Sequence, residues 1–360
     1  MSVVKPLKLE SSEKDFVENS QLKIATYNLF NYLEPPSAFY EFDRIYSTEQ
    51  WCKKQQWISD YLDEHQPDII GFQEVFSPES LQSLVNEQGY QYFSVVDQPQ
   101  VIDEFIFRSP VVAIASKYPI VEIVCPEPDS ELAASMGLSD NFSFSRKLLR
   151  ATIKLPHIGN CDCYVVHLKS QRSMIEFEDN KELTREKSAI EELKCQIRGK
   201  WASSIQRGSE AALLMVSMIT RREQTSHPMV LMGDFNNSIH TSELKFLLTN
   251  SLAFTRNKEA NDHLGQYYLK DSWELHLDLI NPNLSTQQKF PRKPTHYHAN
   301  KGAVLDYVLL SCEFDVSFQG SLFEISSYQV YDRHLINPIF ERDSQSTDHG
   351  IVSITLSLRN

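Results

Sequence analysis

The chain has no long apolar run. Its longest, "AALLMVSMI" from Ala211 to Ile219, falls far short of the roughly 20 residues that a membrane-spanning helix needs. It also lacks a cysteine framework. Cys52, Cys125, Cys161, Cys163, Cys195 and Cys312 show neither zinc-knuckle nor disulfide spacing, and "CDC" only puts Cys161 and Cys163 on one strand face. Such thiols belong in a core or at a surface, which sets the expectation of a reducing, cytoplasmic location. The amino terminus, "MSVVKPLKLESSEKDFVENS", shows no apolar core of signal-peptide length, in keeping with that expectation. No GxxxxGK[ST] loop and no HExxH occurs, so P-loop nucleotide hydrolysis and zinc proteolysis are excluded. Positive charge is short as well. Lys and Arg number 35 against 48 Asp and Glu, a net charge of -13. That balance repels nucleic acid and anionic membranes at long range. A bound divalent cation reverses the field locally, so a polyanionic substrate stays open.

With 41% hydrophobic and 11% aromatic residues, 360 residues can bury a large core. The organisation reads as a polar segment 1–20 followed by one catalytic domain over 21–360. "LKIATYNLF", "PDIIGFQEV", "VVAIASKYPI", "LLRATIKL", "CDCYVVHLKS", "MVLMGDFN", "AVLDYVLLS" and "GIVSITLSL" read as strands. "EQWCKKQQWISDYLDEH" has helical apolar spacing. "SPESLQSLVNEQG" opens like a helix, with Ser77 as cap, Pro78 at the first position and Gly89 past the end. A charged insert at about 171–206 predicts solvated helix, a surface excursion or else a lid or partner surface, before the amphipathic "SSIQRGSEAALLMVSMITRR". Residues 255–302 read as a long loop. Mixed strands and helices predict an α+β sandwich, two packed sheets with helices outside.

The strand ends carry a recurrent chemistry. "ATYNLFN" places Asn28, and "IIGFQEV" places Glu74, just after apolar residues. "YVVHLKS" puts His167 and Lys169 on one face, and "LMGDFNN" puts Asp234 and Asn236 on one face. Asp306 starts the strand in "VLDYVLLS", and Asp348 and His349 directly precede the last strand. Each alone is a turn former, a cap or a hydrogen-bonded core residue. Six such tips together point to a site. Oxygen ligands without thiolates suit magnesium or manganese, for which Glu74 and Asp348 are candidate ligands. Imidazoles suit proton transfer, and the neutral Asn236 amide suits a phosphate oxygen.

In this order, "YNLFNY", "GFQEVF", "VVAIASKYPI", "VVHLKS", "GDFNNS", "VLDYVLLS" and "STDHGIV" resemble the endonuclease/exonuclease/phosphatase superfamily, the deoxyribonuclease I-like fold, from about Leu22 to Leu358. The resemblance implies a four-layered α/β sandwich, two mixed β-sheets packed face to face and flanked by helices, with the site at the strand tips. It implies Glu74 as the principal metal ligand, Asn28 as a ligand to metal or phosphate, and Asp348 as an auxiliary ligand. Asp234 is then the water-positioning carboxylate and Asn236 the phosphate-binding amide. His349 is the imidazole beside phosphorus, oriented by Asp306, with His167 as the second imidazole. The implied cofactor is magnesium, with manganese as the alternative.

"HLKS" followed by Arg207, Glu210 and Ala211 is similar to bacterial nuclease-like members, in which the lysine reaches a phosphate. Lys169 is a candidate on that ground, against a plain surface charge. A metal-dependent phosphodiesterase or nuclease ranks first, with DNA or RNA as candidate substrates. A 5-phosphatase-type monoesterase, a sphingomyelinase-like diesterase and a non-catalytic binding module follow. No protein partner is legible. "QKFPRKPTHYHANKG" offers Arg292, Lys293, His296, Tyr297, His298 and Lys301 as a substrate groove, or else a solvated basic loop. His296 and His298 share a side if extended, but with no third ligand nearby in sequence zinc is not expected.

Overall fold

Apolar runs bounded by turn residues form the central strands of a computed structural model that describes residues 21–177, 184–248, 264–280 and 291–359. The expectation for 1–20 falls outside the described residues. In chain order the first half supplies β1 (Gln21–Tyr32), β2 (Ala38–Phe39), α1 (Thr48–His65), β3 (Ile69–Val75), α2 (Pro78–Glu87), β4 (Tyr92–Val95), β5 (Gln100–Ile102), β6 (Ile106–Arg108), β7 (Val111–Ser116), β8 (Ile120–Val124) and α3 (Ser130–Ser135). The second half supplies β9 (Leu149–Leu155), β10 (Gly159–His167), α4 (Arg185–Thr225), β11 (Met229–Asp234), β12 (Lys270–Asp271), α5 (Ser272–Ile280), β13 (His296–His298), β14 (Lys301–Ala303), β15 (Asp306–Leu310), β16 (Phe323–Tyr331), α6 (Arg333–Ile336), α7 (Phe340–Asp343) and β17 (Ile351–Leu358). Among the described residues no helix is long and apolar enough to cross a membrane.

Two six-stranded sheets hold twelve of these strands, in the orders β16-β17-β1-β3-β7-β4 and β12-β15-β11-β10-β9-β8, beside a small sheet β2-β6-β5 and the pair β13-β14. Both six-stranded sheets are mixed. β1 runs parallel to β3, β10 runs parallel to β11, and their other pairs are antiparallel. Alternate side chains then divide into layers. Ile24, Ile69 and Ile114 of one sheet meet Val165, Val230 and Met232 of the other in the central core. On the outer face of the first sheet, Tyr27, Ile70 and Phe72 pack under Trp57 and Tyr61 of α1 and Leu81 and Val85 of α2. On the outer face of the second, Tyr164, Val166 and Leu231 pack under Leu214, Met215 and Met218 of α4. Each fully buried side chain of this size contributes about 1.5–3 kcal/mol. The result is a four-layered α/β sandwich.

Local signals behave as physical chemistry dictates, with exceptions. Ser47 and Gln50 form a capping box on α1, at 3.1 and 2.8 Å. Ser77 precedes Pro78 but does not cap α2, because its hydroxyl accepts the Glu34 amide at 2.8 Å. "VVAIASKYPI" is not one strand: β7 lies in the first sheet and β8 in the second. The charged insert is not a separate helix either. Its second half is the start of α4, a single helix of 41 residues. Within the segment read as loop, Asp271 accepts the Trp273 amide at 3.1 Å and starts α5, and β13 and β14 form a hairpin. Apolar Leu275 and Leu277 bury that helix despite its polar flanks.

Candidate active site

The functional tips meet because of strand direction. β1, β3, β10 and β11 all end at one edge, β15 starts there, and β17 starts beside the end of β1. Asn28, Glu74, His167, Asp234, Asp306, Asp348 and His349 therefore reach one edge from six strands.

On the first sheet, β1 and β3 bulge together, with register shifts between Asn28 and Tyr32 and between Phe72 and Val75. Phe30, Asn31 and Glu74 take left-handed backbone at φ 53°, 55° and 60°. Such bulges re-aim side chains. Glu74 turns inward and accepts the Asn31 amide at 3.0 Å. Asn28 donates from Nδ2 to Asp234 Oδ2 at 3.2 Å, and its carbonyl accepts the Thr347 hydroxyl at 2.6 Å. Asn28 thus ties the first sheet both to the second and to the loop before His349.

On the second sheet, His167 and Asp234 are register partners, as are Asp234 and Asp306. His167 Nε2 lies 3.5 Å from Asp234 Oδ2. Gly233 makes this pairing fit. Its φ is +146°, and a Cβ there would stand 1.9 Å from the Val166 carbonyl oxygen. Phe235 turns away into the outer core, edge-on to Tyr307 at 5.3 Å. Asn236 braces rather than projects. Its backbone amide donates to Asp234 Oδ1 at 2.8 Å, and Nδ2 reaches Leu168 O at 3.0 Å and Asp234 Oδ2 at 3.3 Å. Both hydrogens of its side-chain amide are therefore engaged within the protein. Asn237 holds Glu243 at 2.8 Å, away from the cluster.

His349 Nδ1 bonds Asp306 Oδ2 at 2.8 Å, and Nε2 lies 3.9 Å from both Asp234 Oδ2 and Asp348 Oδ1. Burial opposes its charge, but the Asp306 and Asp234 carboxylates outweigh burial and hold its pKa well above the usual value. His167 differs. Burial, then Arg146, drives its pKa well below the usual value, and Nδ1 has no partner among the described residues. Asp234 is pushed up to about 7 by burial, with Asp306 adding to the rise and the His349 cation opposing it.

The expected residues do not all converge. Lys169 points its Nζ to Ser170 Oγ at 3.4 Å, beside the cluster rather than in it. Arg207 and Glu210 are buried braces: Arg207 Nη1 donates to Lys169 O at 2.8 Å, and Glu210 accepts the Lys169 amide at 2.8 Å. Arg292 leaves the expected groove. It pairs with Asp271 and Tyr328 and stacks over the Tyr307 and Tyr328 rings.

Two further residues enter the site, His296 from the expected groove and Lys54 unforeseen. The β13–β14 hairpin bridges to His349 and sets the His296 ring 5.1 Å from it. Donor atoms of His296, Asp348 and His349 lie within 4.8 Å of one another, so the fold, and not His298, supplies the two donors beside His296. Lys54 of α1 is buried, donates to Ser346 O at 3.3 Å and lies 5.8 and 5.5 Å from the Phe30 and Tyr46 rings. Burial lowers its pKa to about 8 against the pull of Asp348 and Glu74. Its position in "CKKQQ" carries no local sign of this.

The donors fit a hard divalent cation. Asp348 Oδ1 and Asn31 Oδ1 are buried without a hydrogen-bond partner among the described residues, and Glu74 adds a carboxylate bonded to the Asn31 amide. All are oxygens.

A sequence model of the Endonuclease/Exonuclease/phosphatase family matches residues 25–327. The chain belongs to this family. Endonuclease/exonuclease/phosphatase members are phosphoesterases and generally depend on a divalent metal. The match ends before Asp348 and His349, whose company with the family's earlier motifs is visible in the fold. The human Nocturnin catalytic domain with bound sulfate is similar in structure, at 16% identity over 94% of this chain and 95% of that one, TM-score 0.56. ANGEL2, a 2′,3′-cyclic phosphatase, matches at 13% identity over 93% and 95%, TM-score 0.52. D. rerio TDP2 complexed with single-strand DNA product matches at 13% identity over 94% and 100%, TM-score 0.51. At these identities the likeness is one of fold. No curated protein sequence matches the chain.

Proposed function

We propose that the chain is a magnesium-dependent phosphodiesterase, a nuclease by preference, acting by water attack at phosphorus. The observation that supports this best is the placement of two imidazoles, His167 held neutral and His349 held cationic, on one buried carboxylate, Asp234. A carboxyl with its pKa near 7 can align a water and accept its proton at neutral pH. His349, held cationic and oriented by Asp306, donates toward the phosphoryl oxygen as charge builds there. His167, kept neutral, serves the leaving-group side without adding charge. Asn236 positions Asp234 and the His167–Lys169 turn. When bound, the divalent cation neutralises a phosphate oxygen and stabilises charge on the leaving oxygen. Glu74, Asn28 and Asp348 would hold it, and so few protein carboxylates suit magnesium, which keeps several waters. The DNA product on TDP2 and the cyclic-phosphatase activity of ANGEL2 support diester chemistry. All six cysteines are free, which supports a reducing, cytoplasmic setting.

The test is hydrolysis of bis(p-nitrophenyl) phosphate, an aryl monoester, oligonucleotides and inositol phosphates, with and without chelator. Diester and oligonucleotide turnover should require magnesium. Asp234→Asn and His349→Ala should each lower kcat by about 10²–10⁴-fold while the fold, read by circular dichroism, persists. Activity that survives chelation sinks the metal reading. Turnover of monoesters alone sinks the nuclease reading.

A further inference from the structure

One buried carboxylate builds a second feature beside the tips. Glu210, on α4, accepts the Ser145 amide at 2.7 Å through one oxygen and the Lys169 amide at 2.8 Å through the other. It therefore clamps the segments bearing Arg146 and Lys169 side by side. Its oxygens are met by main-chain amides and by Gln206 at 3.0 Å, so it makes no ion pair with either cation. Arg207 locks the same turn through the Lys169 carbonyl.

The Arg146 guanidinium points toward the reaction centre. Nη1 donates to Leu168 O at 3.4 Å, the carbonyl that also receives Asn236 Nδ2 at 3.0 Å. Its Nε is buried and has no hydrogen-bond partner among the described residues. Arg172 follows on the turn that Gln171 fastens to the Asn236 carbonyl at 2.8 Å. Among the described residues, no carboxylate pairs with Arg146, Lys169 or Arg172. Their charges act on one another: burial and then Arg146 hold the Lys169 pKa low, with Glu210 opposing and Arg207 and Arg172 adding to the effect. The Tyr40 phenol links this group to the metal side, close enough to feel Glu74, Arg146 and Arg172. In a chain of net charge -13, three unpaired cations held side by side by buried braces form a local anion site.

We propose that Arg146, Lys169 and Arg172 form a subsite for a second phosphate group of the substrate, flanking the one that is cleaved. The inference rests on the phosphodiesterase reading and narrows it, because it disfavours substrates with a single phosphate. A flanking phosphate comes either from the next linkage of a nucleic-acid strand or from a second ester on a small molecule.

The experiment compares kcat/KM for three substrates in the full-length wild type, Arg146→Ala and Arg172→Ala. The substrates are bis(p-nitrophenyl) phosphate, a trinucleotide, and a glycerophosphoinositol phosphate, a small diester with a second phosphate on its ring. A charge-assisted contact at about 1.5–3 kcal/mol predicts that preference for a flanked substrate over the single-phosphate one falls about 10–100-fold in each variant. A fall confined to the trinucleotide identifies the strand as source, and one confined to the glycerophosphoinositol phosphate identifies the small molecule. Equal losses on all substrates, or no loss in either variant, overturn the subsite. If wild type hydrolyses nothing, the phosphodiesterase reading fails by itself. The subsite is then judged by calorimetric titration with pyrophosphate: weaker binding to both variants supports it, and unchanged affinity overturns it.

Discussion

His167 and His349 both face Oδ2 of Asp234, at 3.5 and 3.9 Å, yet the first is held neutral and the second cationic. The difference lies in what stands behind each ring. Asp306 backs His349, whereas His167 Nδ1 has no partner among the described residues. Both histidines were legible at strand ends, and the carboxylate next to His349 favours its protonated form, but the neutral state of His167 was not legible, since burial sets it. A third buried imidazole carries a prediction for stability. His334 bonds through Nε2 to the His349 carbonyl at 2.9 Å and packs on Trp57 and Tyr331. Because only a carbonyl oxygen lies there, His334 is the donor. Burial lowers its pKa from 6.5 to about 4. A depressed imidazole pKa means that the unfolded chain binds the proton more tightly. The contribution is complete above pH 6.5 and is lost as pH falls through about 4, a span worth about 3 kcal/mol. Metal-free wild type should therefore lose that much more stability than His334→Gln between pH 7 and 4. Urea unfolding at both pH values checks it, and parallel losses in the two proteins would refute it.

At the scale of elements, the parallel pairing of β10 with β11 aligns His167 with Asp234, and this register depends on Gly233. Gly233→Ala meets the Val166 carbonyl and must shift one strand against the other. It should cost about 3 kcal/mol or more and remove activity together with stability. Thermal unfolding and kcat, measured on the same sample, test this; an unchanged melting temperature would be the contrary result. Both strands were legible, β10 in "CDCYVVHLKS" and β11 in "MVLMGDFN". Other elements were not. β16 mixes buried and exposed positions without clean alternation, because it is the edge strand of its sheet. The insert looked separate from α4 because its charge pattern changes, but backbone hydrogen bonding continues through that change.

For the whole molecule, the spacing of the two sheets is set where Gly71 of β3 faces Met232 and Val165. An added Cβ there would come within 3.0 Å of both side chains. Gly71→Val should overpack the central core and cost about 1–3 kcal/mol, or more if the sheets cannot separate. Because the tips of both sheets build the candidate site, kcat should fall as well; Gly71→Ala, the smaller change, should lie between. Denaturant unfolding of the three proteins gives the ordering, and equal midpoints would contradict it. The sequence by itself determined the strands that form the sandwich, the helices over its faces and the residue types at its tips. These follow from local periodicity, turn chemistry and the order of the motifs. Only the tertiary structure decided which imidazole holds charge, why the Asn236 amide is engaged, and how Lys54, Arg146 and His296 reach the site. Burial and charge pairing depend on groups far apart in the chain, and only folding brings them together.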